Sequence, residues 1–286
     1  MIPHRTGRAA RRWLIGTTAA GVVLLAGCSQ EQTEQWGRFG LPTLASDQGQ
    51  AIGDLWVGAW IASLAVGVFV WGLIGWVVVR YRARHTGGVP KQTRYNLPIE
   101  LLYTLVPFLI IGVLFFFTVR AQDTVNRKVD QPDVTINVVG QKWSWTFNYM
   151  EADDARVGAV VHEAGTIERT PDLYLPVGKT VRFNLQSADV IHSFWIPNFY
   201  YKLDVIPGHP NSFDVTPTEK GEYLGKCAEF CGTYHSAMLF NVKVVDEAQY
   251  YAYLDGLKSK GQTGEITIPS KVTAIPVPSR SEEEHR

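Results

Sequence analysis

Four side chains that bind soft metal ions lie within residues 226–238, which read KCAEFCGTYHSAM. They belong to Cys227, Cys231, His235 and Met238. The whole chain has only three Cys and three Met, and this stretch holds two of the Cys and one of the Met. Thiolate, imidazole and thioether groups together suit copper. The stretch therefore predicts a copper site.

Two other uses of the same residues remain open at this point. Cys227 and Cys231 could form a small disulfide in an exported domain. Such a disulfide needs no His four residues later and no Met three residues after that. Zinc is the other alternative, but zinc prefers Cys and His and is poorly served by Met. The complete set of side chains favours copper over both.

A further candidate ligand, His192, lies 35 residues before Cys227 in the run VIHSFWIP. The short apolar and aromatic run predicts a strand. A histidine flanked by Ile191 and Phe194 is more often a core residue than a ligand. However, β-sandwich copper proteins assemble their sites from a histidine on one strand and a distant loop that holds the other ligands. The combination therefore makes His192 a predicted ligand.

The N-terminal segment has the pattern of a bacterial export signal. Four arginines precede an apolar run over residues 13–26, and LAGC then ends at Cys28. LAGC resembles the lipobox of bacterial lipoproteins, which implies cleavage before Cys28 and a lipid on its sulfur. An uncleaved first span is the alternative, but the run is short for one. We therefore expect a signal peptide over residues 1–27 and an extracytoplasmic segment over 28–54.

Two later apolar stretches, residues 55–79 and 101–119, are long enough to cross a membrane. The loop between them carries five basic residues and no acidic residue before Glu100, which predicts that it is cytoplasmic. Asn96 and Pro98 are typical of a helix N-terminus. The sequence therefore predicts a transmembrane hairpin over residues 55–119, with everything from Arg120 onward outside the cytoplasm.

Residues 120–260 predict an all-β domain. Short apolar runs alternate with turn residues, which is typical of a β-sandwich. The predicted strands are VTINVVG, WSWTFNY, TVRFNLQ, HSFWIP, NSFDVTP and LFNVKVV. A helix is expected over residues 246–257. Residues 261–286 are rich in Pro, Ser and Glu, which indicates a flexible tail.

The stretch CAEFCGTYHSAM resembles the copper loop of the cytochrome c oxidase subunit II family, which holds the binuclear CuA centre on a cupredoxin-like sandwich. The resemblance implies that Cys227 and Cys231 bridge two copper ions. It implies four further roles: one imidazole each from His192 and His235, a weak thioether from Met238, and the backbone carbonyl of Glu229. It also directs the Glu229 side chain to a magnesium ion at the boundary with subunit I. A quinol oxidase subunit II lacks these copper ligands, whereas this chain has all of them.

Three further residues take roles through the resemblance. Trp143, in QKWSWTFNY, would be the point where electrons enter, although alternating tryptophans on a strand are commonly packing residues. Glu100 would stand at the entrance of a proton pathway into subunit I, although a carboxylate there also suits the helix dipole. Asp204, in YKLDVIPGHPN, would face subunit I. In this segment His209 replaces a common arginine.

The resemblance implies subunit II of a bacterial aa3-type oxidase. This subunit accepts electrons from a cytochrome c, soluble or held in a bc complex, and passes them to haem in subunit I. There oxygen is reduced and protons are pumped. Subunits I and III are the expected partners, with haem only in the partner and no nucleic acid. A membrane-anchored copper chaperone is the alternative, but a chaperone needs neither Glu100 nor Trp143.

Charge gives a further expectation about the electron donor. Residues 120–286 contain 17 basic and 22 acidic residues, a net charge of −5. A mildly acidic outer domain favours a basic partner, mainly through the rate of encounter. The alternative is that the charge only aids solubility, and part of the excess lies in the tail at residues 282–284. We therefore expect acidic residues over 151–154 to assist donor binding in a salt-dependent way.

Overall fold

The computed structural model describes residues 29–82 and 92–267. It divides the chain into two units, residues 1–43 and 44–286. In the first unit, helix α1 spans Gln30–Gly37. The Ser29 side chain accepts from the Gln32 backbone N–H, and the Gln32 side chain accepts from the Ser29 backbone N–H, so the two form a capping box. The predicted signal peptide and Cys28 lie outside the described residues.

The second unit begins with two long apolar helices, α2 over Gly49–Arg80 and α3 over Leu97–Val125. Both are long and apolar enough to cross a membrane. Asn96 caps α3 as predicted, because its side chain accepts from the Ile99 N–H. The helices extend beyond the predicted apolar stretches because their ends carry polar residues that apolar composition does not detect. Residues 83–91, within the predicted cytoplasmic loop, lie outside the described residues.

Within the described residues 126–267, ten strands form two five-stranded sheets, which confirms the predicted β-sandwich. The first sheet has the order β3-β2-β1-β5-β8 and the second the order β4-β10-β9-β6-β7. The strands are β1 Val134–Gln141, β2 Ser144–Tyr149, β3 Val161–Ala164, β4 Asp172–Pro176, β5 Val181–Ser187, β6 His192–Ile196, β7 Tyr201–Val205, β8 Asn211–Val215, β9 Gly221–Cys227 and β10 Leu239–Val245. Helix α4, Glu247–Ser259, follows the last strand.

Buried aromatic side chains fill the space between the two sheets. The ring of Phe194 stacks on that of Phe240 at 4.8 Å, and Trp145 packs edge-on against both. Gly225 lies beneath Phe240, where an added Cβ would come within 2.0 Å of the ring. This close packing fixes β6, β9 and β10 relative to one another. These three strands flank the residues predicted to bind copper.

Polar contacts join the sandwich to the ends of the two membrane helices. The Ser46 hydroxyl, ahead of α2, donates to the Phe199 carbonyl. The Tyr201 hydroxyl donates to the side chain of Asn126 at the end of α3. Beyond α3, the buried Asp214 carboxylate accepts the backbone N–H of Val129 and pairs with Arg182 at 2.8 Å. The sandwich is thus attached at the N-terminus of one helix and the C-terminus of the other.

The segment between β2 and β4 and the residues after α4 pack on the same side of the sandwich. Arg156 forms ion pairs with Asp154 and Glu247 and lies over the ring of Tyr251. Residues 261–267, which the sequence assigned to a flexible tail, are hydrogen-bonded to this region. The Asn148 side chain donates to the Ile266 carbonyl and accepts from the Ile266 N–H. Residues 261–267 therefore pack against the sandwich, whereas residues 268–286 of the predicted tail lie outside the described residues.

Candidate metal centre

The predicted ligands come from two neighbouring strands and one loop. Strand β9 ends at Cys227, β10 begins at Leu239, and residues 228–238 connect them. Strand β6 starts at His192 and pairs with β9, with Phe194 opposite Cys227. This register brings His192 to the side of the loop that carries the two cysteines. The backbone N–H of Cys227 donates to the Met238 carbonyl and closes the loop at its base.

All six predicted donor groups lie together. The Sγ atoms of Cys227 and Cys231 are 3.9 Å apart. The Cys227 sulfur is 3.8 Å from His192 Nδ1 and 3.2 Å from the Glu229 carbonyl oxygen. The Cys231 sulfur is 3.5 Å from His235 Nδ1 and 3.7 Å from Met238 Sδ. Each sulfur therefore has one imidazole and one weaker donor beside it.

This donor set fits copper. Both cysteines are free thiols, so they do not form the disulfide that the sequence left open. Half of the separation between the sulfurs is less than a metal–thiolate bond of about 2.3 Å, so an ion on either side of the line joining them could bond both. His192, Cys227 and Cys231 are buried and their ligand atoms lie within 4.8 Å of one another. Two sulfurs, two imidazoles and a thioether favour copper over harder ions.

The two thiols differ in acidity. The pKa of the Cys227 thiol is below its ordinary value. Burial alone would raise this pKa, but hydrogen bonds with His192 and with the backbone lower it by more. Burial and the neighbouring Cys227 charge raise the pKa of Cys231. One thiolate therefore forms readily near neutral pH and the second does not. Binding of a metal that needs both thiolates would release a proton.

The carboxylate of Asp189 contacts the ring of His192, one of the predicted ligands. The sequence patterns had given Asp189 no role. Its carboxylate contacts Nε2 of His192 at 2.8 Å and accepts the backbone N–H of Lys142 at 2.7 Å. Burial opposes the charged carboxylate, but these hydrogen bonds hold the pKa of Asp189 below its usual value. Asp189 thereby joins His192 to the turn that carries Trp143. An acidic residue three positions before a candidate ligand histidine was the available signal.

Glycine is favoured at two positions around the site. A Cβ on Gly140 would lie 3.2 Å from the His192 ring and 3.2 Å from Trp145. Gly232 has a φ of +121° and lies against the Trp143 indole, also at 3.2 Å from an added Cβ. Gly140 leaves room for the ring of His192. Gly232 allows the Trp143 indole to pack against the loop between β9 and β10. Sequence alone gave no signal for either position.

Trp143 lies directly on the loop between β9 and β10. Its indole Nε1 donates to the backbone carbonyl of Cys231 at 3.2 Å, and its ring packs edge-on against Tyr234 at 5.0 Å. The second tryptophan of the pair, Trp145, is fully buried and its Nε1 is 3.4 Å from the Met238 carbonyl. The two alternating tryptophans therefore differ, since only Trp143 is both partly exposed and bonded to a predicted ligand residue.

The other predicted site residues are not part of this cluster. The side chains of Glu229 and Asp204 are exposed. Asp204 lies opposite Ser193, whose carbonyl accepts the backbone N–H of Ala228. Glu100 lies in the first turn of α3, about 37 Å along the helix from its outer end. Its carboxylate accepts the Asn96 N–H at 2.7 Å, so it also takes part in capping α3.

The expectation that residues 151–154 assist donor binding stays a prediction, and the contacts of these residues give it little support. Glu151 is buried and accepts a hydrogen bond from the Tyr250 hydroxyl. Asp154 is paired with Arg156. These residues follow the end of β2, whereas Trp143 precedes its start, so the two positions are about 20 Å apart. The acidic segment therefore lies away from the copper loop.

The fold and the donor set define a class of protein, namely a cupredoxin-like domain with a cysteine-rich metal loop that follows two membrane-spanning helices. A family model described as cytochrome c oxidase subunit II, periplasmic domain, matches residues 134–245. A probable cytochrome c oxidase subunit 2 of Streptomyces avermitilis is 46% identical, over 91% of this chain and 91% of the relative. The cytochrome c oxidase subunit 2 of Mycobacterium tuberculosis strain H37Rv is 37% identical, over 84% and 80%.

Among solved structures, the periplasmic domain of subunit II of cytochrome oxidase from Bradyrhizobium japonicum is 28% identical. It covers 46% of this chain and 99% of its own, with a TM-score of 0.40. The curated relatives are similar over nearly their whole length. The chain belongs to the cytochrome c oxidase subunit 2 family. It is therefore a cytochrome c oxidase subunit, and its two apolar helices are long and apolar enough to anchor it in a membrane.

Proposed function

We propose that this subunit accepts electrons from a cytochrome c at a binuclear copper centre and passes them to haem a in subunit I, where oxygen reduction is coupled to proton pumping. The observation that carries the proposal is the pair of free thiols 3.9 Å apart, each with an imidazole nitrogen within 3.8 Å. When bound, two copper ions would supply a carrier for single electrons. Because the ligands are packed and hydrogen-bonded before binding, they need little rearrangement.

Each ligand residue has a distinct part in this proposal. Cys227 and Cys231 would hold the two copper ions through their thiolates, and His192 and His235 would each add an imidazole. Met238 and the Glu229 carbonyl would be the weaker donors. Trp143 receives the electron from the cytochrome, since its indole is bonded to the Cys231 carbonyl and part of its ring is exposed.

Further sites of the proposal lie at the boundaries with other parts of the oxidase. The exposed Glu229 carboxylate contributes to a magnesium site shared with subunit I, and Asp204 belongs to the same boundary. Glu100 lies at the entrance of a proton pathway on the opposite side of the membrane. Subunit III is a further partner. The roles of Glu229, Asp204 and Glu100 are supported by the resemblance of the surrounding segments to the oxidase family. Glu229 and Asp204 are also exposed, and Glu100 lies in the first turn of α3.

The proposed location is a bacterial cell membrane, with the sandwich outside the cytoplasm. Residues 1–27 are removed as a signal peptide and Cys28 carries a lipid, so the chain has a lipid anchor besides its two spans. Residues 28–54 precede the hairpin over 55–119, and the copper domain occupies 120–260. Mass spectrometry of the mature N-terminus tests the anchor: an unmodified residue upstream of Cys28 contradicts it.

The order in which the centres are reduced tests the proposed function. A reduced basic soluble cytochrome c is mixed with the purified oxidase without oxygen, and the copper and haem absorption bands are followed in time. We expect the copper band to bleach before haem a is reduced. Reduction of haem a first, with copper lagging behind it, contradicts the assigned route.

Removing the carboxylate of Asp189 is expected to weaken copper binding. Asp189→Ala frees the His192 ring from its 2.8 Å contact, and loss of such an outer partner typically costs about 10- to 100-fold in metal affinity. Asp189→Asn keeps one acceptor oxygen and should retain most of the affinity. The measurement is copper retained against a competing chelator, read from the visible spectrum. Asp204→Asn is the control, because Asp204 is an exposed carboxylate on β7. If all variants retain the same amount of copper, Asp189 does not support copper binding through His192.

A further inference from the structure

Strand β8 is hydrogen-bonded to the chain that leaves the membrane helix α3. The Ser212 hydroxyl accepts from the Lys128 ammonium at 2.6 Å, and the Asp214 carboxylate accepts the backbone N–H of Val129 at 2.8 Å. Lys128 and Val129 are the third and fourth residues after α3. Alternate residues of a strand lie on the same face, so one face of β8 holds the segment that follows α3.

The residue after β8 is bonded in a similar way to the chain that enters α2. The backbone N–H of Thr216 donates to the side chains of Asp47 and Gln48, and the Asp47 N–H donates to the Thr216 carbonyl. Helix α2 begins at Gly49. The extended segment over residues 211–216 therefore contacts the chain at the N-terminus of α2 and at the C-terminus of α3.

The side chains of Asp214 and Arg182 hold both backbone polar groups of Val129. Asp214 accepts the Val129 N–H, and Arg182 donates to the Val129 carbonyl. The two side chains lie opposite each other on β8 and β5 and form two hydrogen bonds of 2.8 Å. Asp214 is buried, and a bidentate ion pair of this kind fixes the direction of both side chains. We call this arrangement the Val129 clamp.

The opposite face of β8 packs toward the predicted copper ligands. The ring of Phe213 lies 5.2 Å from that of Phe183 and 6.2 Å from that of Phe194. Phe194 is two residues after His192, and it lies opposite Cys227 in the pairing of β6 with β9. Because protein cores are close-packed and transmit strain, the position of β8 affects the position of the strands that carry these ligands.

One short segment is the covalent connection between α3 and the sandwich. Residues 126–133 separate α3 from β1 and contain no helix or strand. A few residues without regular structure can absorb large changes in backbone angles, as hinges do. The orientation of the sandwich on the helices therefore depends on side-chain contacts such as the Val129 clamp.

We propose that Asp214 and Arg182 are positioning residues that set, through the Val129 clamp, the place of the copper ligands relative to the membrane helices and so to haem a in subunit I. This inference rests on the proposed function and adds the residues that hold the geometry of its second electron step. A displacement of about 1 Å can slow a reaction about a hundredfold. The clamp thus acts on the rate of transfer from copper to haem a, and leaves the copper ligands themselves unchanged.

The test uses the intact purified oxidase without oxygen. A ruthenium complex excited by a light pulse delivers one electron to the oxidised copper centre, and the absorption of haem a gives the rate of the next step. Asp214→Ala removes the acceptor of the Val129 N–H and the ion pair, so it should slow this step about tenfold with copper content and the copper spectrum unchanged. Hydrogen exchange of the amides over residues 126–133, measured by mass spectrometry, should become faster.

Arg182→Gln should change both readouts in the same direction, and it decides the test alone if Asp214→Ala does not assemble. Asp172→Ala is the matched control, because Asp172 forms a 2.9 Å ion pair with Lys243 on β4 and β10 of the other sheet. The control should keep the parent rate and the parent hydrogen exchange.

Faster exchange over residues 126–133 with electron transfer at the parent rate would show that contact with subunit I sets the position, and the proposal would be wrong. Exchange at the parent rate, or loss of copper from the Asp214 and Arg182 variants, also contradicts it. A parent oxidase in which haem a is reduced while copper stays oxidised contradicts the proposed function instead, so the two failures are distinguishable.

Discussion

Cys227→Ser is expected to abolish the binuclear copper centre. The Cys227 sulfur lies within 4 Å of Cys231 Sγ, His192 Nδ1 and the Glu229 carbonyl, so it connects the donors on its own side of the cluster to the second thiol. A serine hydroxyl is a harder ligand and does not replace a bridging thiolate. Copper content should fall below two ions per chain, the purple colour should be lost, and turnover with cytochrome c should become undetectable.

Met238→Leu is the comparison that separates ligand loss from damage to the loop. Met238 is fully buried, and exchange of Met for Leu keeps side-chain volume and usually costs under about 1.5 kcal/mol. This variant should keep two coppers and shift their reduction potential, since axial ligands tune that property. If Cys227→Ser keeps two coppers and the parent spectrum, a bridging role for Cys227 is excluded.

Trp143→Ala is expected to slow reduction of the copper centre by cytochrome c without loss of copper. The indole connects the surface to the Cys231 carbonyl through one 3.2 Å hydrogen bond, and alanine removes both the ring and the bond. We expect a decrease of about a hundredfold, the scale at which misplaced reacting groups slow reactions. Stopped-flow mixing of reduced cytochrome c with the intact oxidase gives the rate, and the copper absorption gives the occupancy.

Trp143→Phe separates the contribution of the aromatic ring from that of the hydrogen bond to Cys231. Phenylalanine keeps an aromatic ring against Tyr234 but has no N–H to donate to Cys231, so an intermediate rate shows that the hydrogen bond contributes to electron transfer. If Trp143→Ala reacts at the parent rate with full copper, Trp143 is a packing residue only. The donor would then reach the copper loop by another path.

The copper loop could be predicted from the sequence because most of its donors are local. Cys227, Cys231, His235 and Met238 lie within twelve residues, and their types alone favour copper. The two helices were also predictable, since uncharged stretches of this length have few other uses. His192 needed the combination with the loop, and the structure places its Nδ1 3.8 Å from Cys227.

Contacts between residues distant in the chain could not be predicted in this way. Asp189 is only three residues from His192, but its carboxylate also meets the backbone of Lys142, 47 residues earlier, and this second contact could not be predicted from spacing. Strands β3, β4 and β7 have five residues or fewer, and β9 has two glycines, so none of them presents a long apolar run in the sequence. The acidic run over residues 151–154 suggested donor binding because the sequence does not show that Glu151 is buried and that Asp154 pairs with Arg156.

The central claim is a binuclear copper centre, and an electron paramagnetic resonance spectrum of the oxidised, intact oxidase with its copper content measured in parallel tests it most directly. The arrangement of two thiols, two imidazoles and two weaker donors predicts two coppers in this chain sharing one unpaired electron, so that the hyperfine pattern arises from both nuclei. A single copper in this chain, with a hyperfine pattern from one nucleus, would contradict it.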